Sequence, residues 1–432
     1  MDDYWRFETS AVHAGYAAQN AQRAVAPPIY ETAAFAFDDA QHAVDLFDGK
    51  AQGLVYSRIA NPSVQMLESR VATLEQGVGA VAMASGQAAL SCAFLTLAGA
   101  GDNIVAASSL YGTTYNLLGH VLPQYGIEAR FAERSGVDAF RALIDHRTRA
   151  VFCETIANPA GSVADFEALS RLAHEHGVPL VVDNTVATPY LCRPFGHGAD
   201  IVVHSLTKYM AGHGAHLGGA VVDSGRFQWG DFPETFKRLT SPDDAHHMTN
   251  FTEKYGARAF IARCASVPLR NMGAIIAPAT AVAIMQGIET LALRMERICF
   301  NAHVIAQFLQ SHAGVNWVRY PGLAEHVDAA LVAKYLGGQG GGVLSFGIRG
   351  NDQAGDRFQN ALRLIKRSVN LGDCKTLVCH PASTTHRQLA GDDLAKSGVT
   401  RDLVRLSIGI EHIDDLLEDI DRALAAALSP AL

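Results

Sequence analysis

One lysine, Lys208, stands just past a run of strand-like apolar residues in the stretch IVVHSLTKYMAGHGAHLGG, residues 201–219. Ser205 and Thr207 flank it, and Gly212, Gly214, Gly218 and Gly219 follow, so the backbone can approach a bound group closely. A lysine amine in a partly dry pocket has a depressed pKa and can attack a carbonyl to form a Schiff base. The ordinary alternative for a lysine at a strand end is a solvated surface residue. Asp183 ends the apolar run PLVVD, 25 positions earlier. A carboxylate there either caps an Asp-Asn-Thr turn or partners a protonated ring nitrogen. An amine and a carboxylate at neighbouring strand ends meet the needs of pyridoxal phosphate, whose ring draws electrons only while its nitrogen keeps a proton.

Such a group also carries a phosphate. Ser85, Gly86 and Gln87 in ASGQAALSCAFLTLA precede an expected helix starting near Ala88, and free amides with the helix dipole favour an anion there. Tyr56 and Arg58 in VYSRIANP lie two apart, on one side of an extended segment. Arg58 has the charge to neutralise phosphate, or it decorates a turn before Pro62. Tyr111, in SSLYGTTYNLL, follows a strand and has the ring to stack on a cofactor, or simply packs. Arg405 is set apart from Val404, Leu406, Ile408 and Ile410 by the alternation of its strand. It suits a two-point clamp on a substrate carboxylate, and without other clues the pattern favours a surface salt bridge.

The elements that must position these residues show in the apolar rhythm. NIVAAS (103–108), AVFCETI (150–156), PLVVDNT (179–185), DIVVHSL (200–206) and GGAVVD (218–223) are short runs rich in Val and Ile. Helical patterns such as DFEALSRLAHEHG (165–177) lie between several of them. Unbroken apolar strands alternating with helices predict a mainly parallel sheet covered on both faces, with ligands outside the carboxyl ends of the strands. Lys208 and Asp183 fall at such ends. Residues 1–65 read as an extended arm with short turns, residues 66–265 as the alternating domain, and residues 266–432 as a smaller α+β domain. The last domain contains GGVLSFGI, LVRLSIGIE and a closing helix with Leu416, Leu417, Ile420, Leu424 and Leu428 on one stripe.

Composition narrows the classes. The chain has 432 residues, 49% hydrophobic and 18% charged, with a net charge of −8 and no Lys/Arg-rich run. That argues against a nucleic-acid partner. Seven cysteines without a C-x-x-C pair read as reduced thiols of a cytoplasmic protein. The start, MDDYWRFETS, lacks the pattern of a signal peptide. Residues 78–101 carry no charge, but their Ala/Gly content and central Ser-Gly-Gln predict strand, turn and helix in place of a membrane span. GVGAVA (77–82) matches a dinucleotide fingerprint in letters but leads into a strand-like run, the wrong context. His174 with His176, His213 with His216, and His246 with His247 lack zinc-site spacing.

Taken together, YSRIANP, ASGQAAL, SSLYGTTYNL, ETIANP, VVDNTVATPYLCRPFGHGADIVVHSLTKY, NLGDCKTLVCHPASTTH and LVRLSIGIE resemble the Cys/Met-metabolism family of pyridoxal-phosphate enzymes, from about residue 7 to 425. The resemblance implies an α/β fold of the PLP-dependent transferase kind (fold type I, aspartate aminotransferase-like), with a mainly parallel central sheet and a smaller α+β C-terminal domain. It implies pyridoxal 5'-phosphate bound through Lys208, Asp183 at the ring nitrogen, Tyr111 over the ring and Asn158 near the phenolic oxygen. Ser85, Gly86, Gln87, Ser205 and Thr207 would hold phosphate, and Tyr56 and Arg58 would reach a neighbouring copy's site to bind its cofactor, Tyr56 meeting the substrate there as well. Asn370 and Arg405 would meet the substrate carboxylate, with Lys208, Tyr56 and Tyr111 acting in catalysis and no metal taking part.

Thr113, Asn370, Gln87 and the insertion DSGRFQWGDFPETF (223–236) resemble the family's thiol-adding branch. Leu206 and YMAGHG depart from the family's commoner forms. The implied reaction is γ-replacement on O-acetyl-L-homoserine by sulfide or methanethiol, with methionine or cystathionine γ-lyase and cystathionine γ-synthase as alternatives within the family. A silent interaction protein of the same fold is the alternative outside it. The implied partners are small molecules and further copies of the chain, in a tetramer built as a dimer of dimers, with no nucleic acid and no membrane.

Overall fold

The computed structural model describes residues 5–20, 22–133, 136–350, 353–384, 387 and 399–428. Contacts divide the chain into two compact units. The first comprises Met1–Leu97, Val203–Leu206 and His216–Glu289; the second comprises Ala98–Val202, Thr207–Ala215 and Thr290–Leu432.

The first seven strands in chain order are β1 (Gly79–Met83), β2 (Asn103–Ala107), β3 (Glu128–Ala132), β4 (Thr148–Glu154), β5 (Leu180–Asp183), β6 (Ile201–His204) and β7 (Gly219–Asp223). They form a mixed sheet in the order β1-β7-β6-β5-β4-β2-β3. The pairs β2–β3, β2–β4 and β4–β5 are parallel, while β1 and β7 run antiparallel from Gly79 opposite Asp223 to Met83 opposite Gly219. The strands read from the sequence are nearly all buried, as continuous Val/Ile runs require when both faces are covered. β3 escapes that reading because Glu128 and Arg130 occupy it, ion-paired at 2.9 Å on a sheet-edge strand.

The charge-free stretch 78–101 folds as β1 followed by the helix Gly86–Leu97. Among the described residues no helix is long and apolar enough to cross a membrane. The arm differs from its extended expectation by carrying two short helices, Phe7–His13 and Ala40–Phe47. The Asp39 carboxylate caps the second by accepting from the His42 amide at 2.7 Å. About two turns give a 3.6-residue rhythm too little length to show.

Within the second unit, five further strands form a smaller sheet: β8 (Val315–Arg319), β9 (Val343–Ile348), β10 (Lys366–Arg367), β11 (Leu377–Cys379) and β12 (Leu403–Ser407), in the order β10-β11-β12-β9-β8. Phe346, Phe358, Leu406, Leu416, Ile420 and Leu424 lie in one core cluster against it. The closing helix, Ile413–Leu428, buries Leu416, Ile420 and Leu424, whereas Leu428 at its end is exposed. β12 stops at Ser407, so Ile410 leaves the apolar alternation and is exposed. Arg405 and Ser407, on the other face of β12, are as deeply buried as Leu406. A surface salt bridge for Arg405 is therefore excluded.

Candidate active site

In the second unit the end of one strand after another contributes a polar group. Lys208 follows four residues after β6, in a turn whose carbonyl at Lys208 accepts the Gly212 amide at 2.8 Å. Its ammonium Nζ donates to Asn370 Oδ1 at 2.6 Å. Burial, and then the positive charge of Arg405, push the Lys208 amine down to about 8. That leaves a useful fraction neutral near physiological pH, as a nucleophilic amine needs.

Arg405 is 2% exposed. Its Nη2 donates to the carbonyls of Val369 and Asn370 at 3.0 and 2.9 Å, and its Nη1 donates to Asn158 Oδ1 at 3.3 Å. Its Nε is buried and has no hydrogen-bond partner among the described residues. A guanidinium N–H left unpaired in the interior costs free energy unless an anion completes it.

Gly372 lets the 370–373 segment lie directly on the lysine's backbone. Its φ is +73°, and a Cβ there would stand 2.5 Å from the Tyr209 amide nitrogen and 2.9 Å from the Lys208 carbonyl carbon. The Gly372 amide donates to Ser407 Oγ at 2.9 Å, tying that segment to β12.

Asp183 ends β5, paired in register with Glu154 at the end of β4. The Thr185 amide donates to Asp183 Oδ1 at 3.0 Å, so the turn-capping role of this carboxylate is real and coexists with any other. Glu154 accepts the Tyr111 amide at 2.7 Å and the Asn158 amide at 3.2 Å. Burial, and then the neighbouring Asp183 carboxylate, push Glu154 up to about 8. Tyr111 is half-buried at the start of the helix Gly112–Asn116, Thr207 and Asn158 are buried, and Thr113 is exposed.

In the first unit, Ser85 and Gly86 open the helix Gly86–Leu97, two residues earlier than expected. Ser85 Oγ accepts the Ala88 amide at 3.2 Å. A Cβ on Gly86 would meet the Ser205 Cβ at 2.7 Å, and one on Gly219 would meet the Ser85 carbonyl oxygen at 2.0 Å. These two glycines bring Ser85, Gly86 and Ser205 together, with Gln87 in the first turn of the helix. Tyr56 and Arg58 pair with one another, the guanidinium 5.5 Å from the ring centroid, and Arg58 also donates to the Arg270 carbonyl.

Lys208, Asn370, Arg405, Asn158, Glu154 and Tyr111 thus form one hydrogen-bonded constellation, with Asp183 beside it. Ser85, Gly86 and Ser205 form a second cluster. The sequence reading missed Glu154, Gly372 and Ser407. Glu154 stands in the quoted segment ETIANP, but a glutamate closing an apolar strand carries no mark of its register with Asp183. In the HPASTTH segment, Thr385 and His386 lie outside the described residues.

A depressed amine, a carboxylate pair and a buried, incompletely paired guanidinium suit a group with an aldehyde and a protonatable ring, acting on an amino acid. A helix start where any side chain on Gly86 would strike Ser205 suits an anionic tail. Each cluster, taken by itself, matches one part of pyridoxal phosphate.

Comparison with known proteins agrees. A homocysteine synthase of Schizosaccharomyces pombe is 45% identical over 98% of both chains. An O-acetyl-L-homoserine sulfhydrylase of Leptospira meyeri is 45% identical over 96% of both. The crystal structure of a candidate O-acetylhomoserine (thiol)-lyase from Campylobacter jejuni, which carries a pyridoxyl-lysine phosphate, superposes with a TM-score of 0.93 at 38% identity. That match covers 98% of this chain and all of the other. Residues 8–425 match the family described as Cys/Met metabolism PLP-dependent enzyme, and the chain belongs to that family.

Proposed function

We propose that the protein replaces the acetate of O-acetyl-L-homoserine with sulfide or methanethiol, giving L-homocysteine or L-methionine. Pyridoxal phosphate, when bound, supplies an aldehyde for the amines and a ring that accepts the electron pair left at Cα. The chain's own residues do the rest. The Lys208 amine, near pKa 8, first carries the cofactor, then takes the proton from Cα and returns it. Arg405 holds the substrate carboxylate through the Nε that lacks a partner, and Asn370 orients both Lys208 and that carboxylate. Asp183 keeps the ring nitrogen protonated, Tyr111 covers the ring, and Asn158 meets its phenolic oxygen. Ser85, Gly86, Gln87, Ser205 and Thr207 bind the phosphate.

Tyr56 and Arg58 serve a neighbouring copy's site, with Tyr56 moving a proton at the γ position as acetate leaves or thiol adds. In this reading residues 1–65 form the arm that crosses to that neighbour, 66–265 carry the cofactor and 266–432 form the C-terminal domain. The assembly in this reading is a tetramer built as a dimer of dimers. The arm's exposed Val25, Ile29, Phe37 and Phe47 support an apolar contact with another copy. Seven free thiols, six of them buried, support a reducing cytoplasmic setting.

The observation that carries the proposal is the buried Arg405, one N–H unpaired, beside a lysine with a depressed pKa. The test is product analysis on purified protein given O-acetyl- or O-succinyl-L-homoserine with sulfide, methanethiol, cysteine or no thiol. Homocysteine from the acetyl ester and sulfide is expected. Mainly 2-oxobutyrate without thiol, or mainly cystathionine with cysteine, would replace this reading with a lyase or a cystathionine synthase.

A further inference from the structure

A cavity of 420 Å³ opens along the outer edge of β1 in the first unit. Pockets that take a small molecule measure roughly 300–1,000 Å³. Val81 and Ala82 supply one wall, Glu68 of the helix Pro62–Glu75 a second, and the exposed Arg258 a third. Among the described residues, none of the Lys208 constellation or of the Ser85 cluster lines it.

Glu68 has one structural task. β1 ends the sheet, and Glu68 Oε1 accepts the Ala82 amide, which has no neighbouring strand to pair with, at 2.9 Å. A glutamine would accept that amide without a charge. The acid is the costlier choice, because burial raises its carboxyl to about 7 and Arg258 offsets that only in part. Its second oxygen makes no hydrogen bond among the described residues, and neither does Arg258, whose charge acts on Glu68 without an ion pair between them. The remaining walls are chiefly apolar, with Val64, Val81, Ile261, Ile275 and Ile276. An acid and a base that leave each other unsatisfied, set among apolar walls, match the ammonium, carboxylate and side chain of an apolar α-amino acid.

We propose that this cavity is a second amino-acid site, in which an α-amino acid sets its ammonium on Glu68, its carboxylate on Arg258 and an apolar side chain against Val81, Ile261 and Ile276. The inference goes beyond the function proposed above and does not depend on it. Ser57, Arg58 and Ile59 line the same cavity, so an occupant packs against the turn that follows Tyr56.

The experiment is a calorimetric titration at pH 8, where Glu68 is mostly ionised. The protein is the holoenzyme reduced with borohydride, which fixes the cofactor to its lysine so that no added amine can exchange there. The probes are L-norleucine, hexanoate, which lacks the ammonium, and pentylamine, which lacks the carboxylate. L-norleucine is expected to bind once per chain with a Kd of about 1 mM or tighter. Each half-ligand should bind wild type at least about tenfold more weakly, and so should L-norleucine bind Glu68→Gln and Arg258→Gln, the size of one lost charge-assisted hydrogen bond. Arg258 is exposed, so its replacement leaves the fold intact and keeps the test decisive even if Glu68→Gln folds poorly. Three outcomes overturn the inference: no binding of L-norleucine to wild type, undiminished binding to Arg258→Gln or to folded Glu68→Gln, or hexanoate binding as tightly as L-norleucine. Protein with no visible cofactor band before reduction would overturn the function proposed above, and the titration would still decide this inference.

Discussion

Replacing Arg405 with lysine preserves the charge and removes the fork, which makes it a sharp probe of the site. The guanidinium now spends Nη1 and Nη2 on Asn158, Val369 and Asn370, and its Nε is buried without a partner among the described residues. A lysine ammonium reaches the same depth with one compact donor group, so it can satisfy the protein's carbonyls or a substrate carboxylate but not both in the same plane. Hydrogen bonds to charged groups contribute about 1.5–3 kcal/mol each. Losing the one made by Nε toward the substrate corresponds to that same loss of about 1.5–3 kcal/mol, or roughly 10- to 150-fold in kcat/KM.

The effect should be specific to the carboxylate. Wild type should prefer O-acetyl-L-homoserine over its methyl ester by about that factor, and Arg405→Lys should treat the two nearly alike. Because a cation remains at 405, the Lys208 amine should stay near 8. Arg405→Leu leaves burial, the larger cause, in place but removes the charge that adds to it, so the Lys208 pKa should rise in part and activity near neutrality fall further. Steady-state kinetics on both substrates, with a pH profile for each variant, checks this. An Arg405→Lys enzyme that kept the full preference for the free carboxylate would refute the assignment.

Three further outcomes follow from the same geometry. Glu68 is raised from 4.5 to about 7, chiefly by burial, and accepts the Ala82 amide at 2.9 Å. The folded chain thus holds an extra proton between those values, and the stability it contributes is lost as pH rises through about 7. Glu68→Gln should therefore stabilise by about 1–2 kcal/mol at pH 8 and be nearly neutral at pH 4.5, as read by urea unfolding; equal effects at both pH values would refute the cause. Gly219→Ala would press a methyl to 2.0 Å from a backbone oxygen that cannot swing away, costing about 3 kcal/mol or more, and an unchanged unfolding midpoint would contradict it. Tyr56→Phe should lower turnover at least about tenfold while leaving the cofactor spectrum intact; full turnover would remove Tyr56 from the mechanism.

Much of this protein could be read before any coordinates. Chemistry confined to a short segment is legible there: a lysine after an apolar strand, an aspartate closing another, and Ser-Gly-Gln opening a helix. Strands β2, β4, β5, β6 and β7 are legible too, because a strand covered on both faces must be apolar throughout. The edge strand β3 and the arm's two short helices are not, since ion pairs and brief turns break the periodic signal.

Relations between distant segments came only from the tertiary structure. Alternation along β12 separates Arg405 from its apolar neighbours, but both faces of that strand are buried, so the pattern could not distinguish a salt bridge at the surface from a guanidinium held inside. Nothing local to ETIANP says that its glutamate ends in register with Asp183 and spans two loops. Nor does NLGD reveal that its glycine lets Asn370 reach Lys208, 162 positions earlier in the chain. Side-chain type is a property of one residue and can be read singly. A depressed pKa, an unpaired buried N–H or two adjacent acids are properties of an environment, and the environment exists only once the strands have paired.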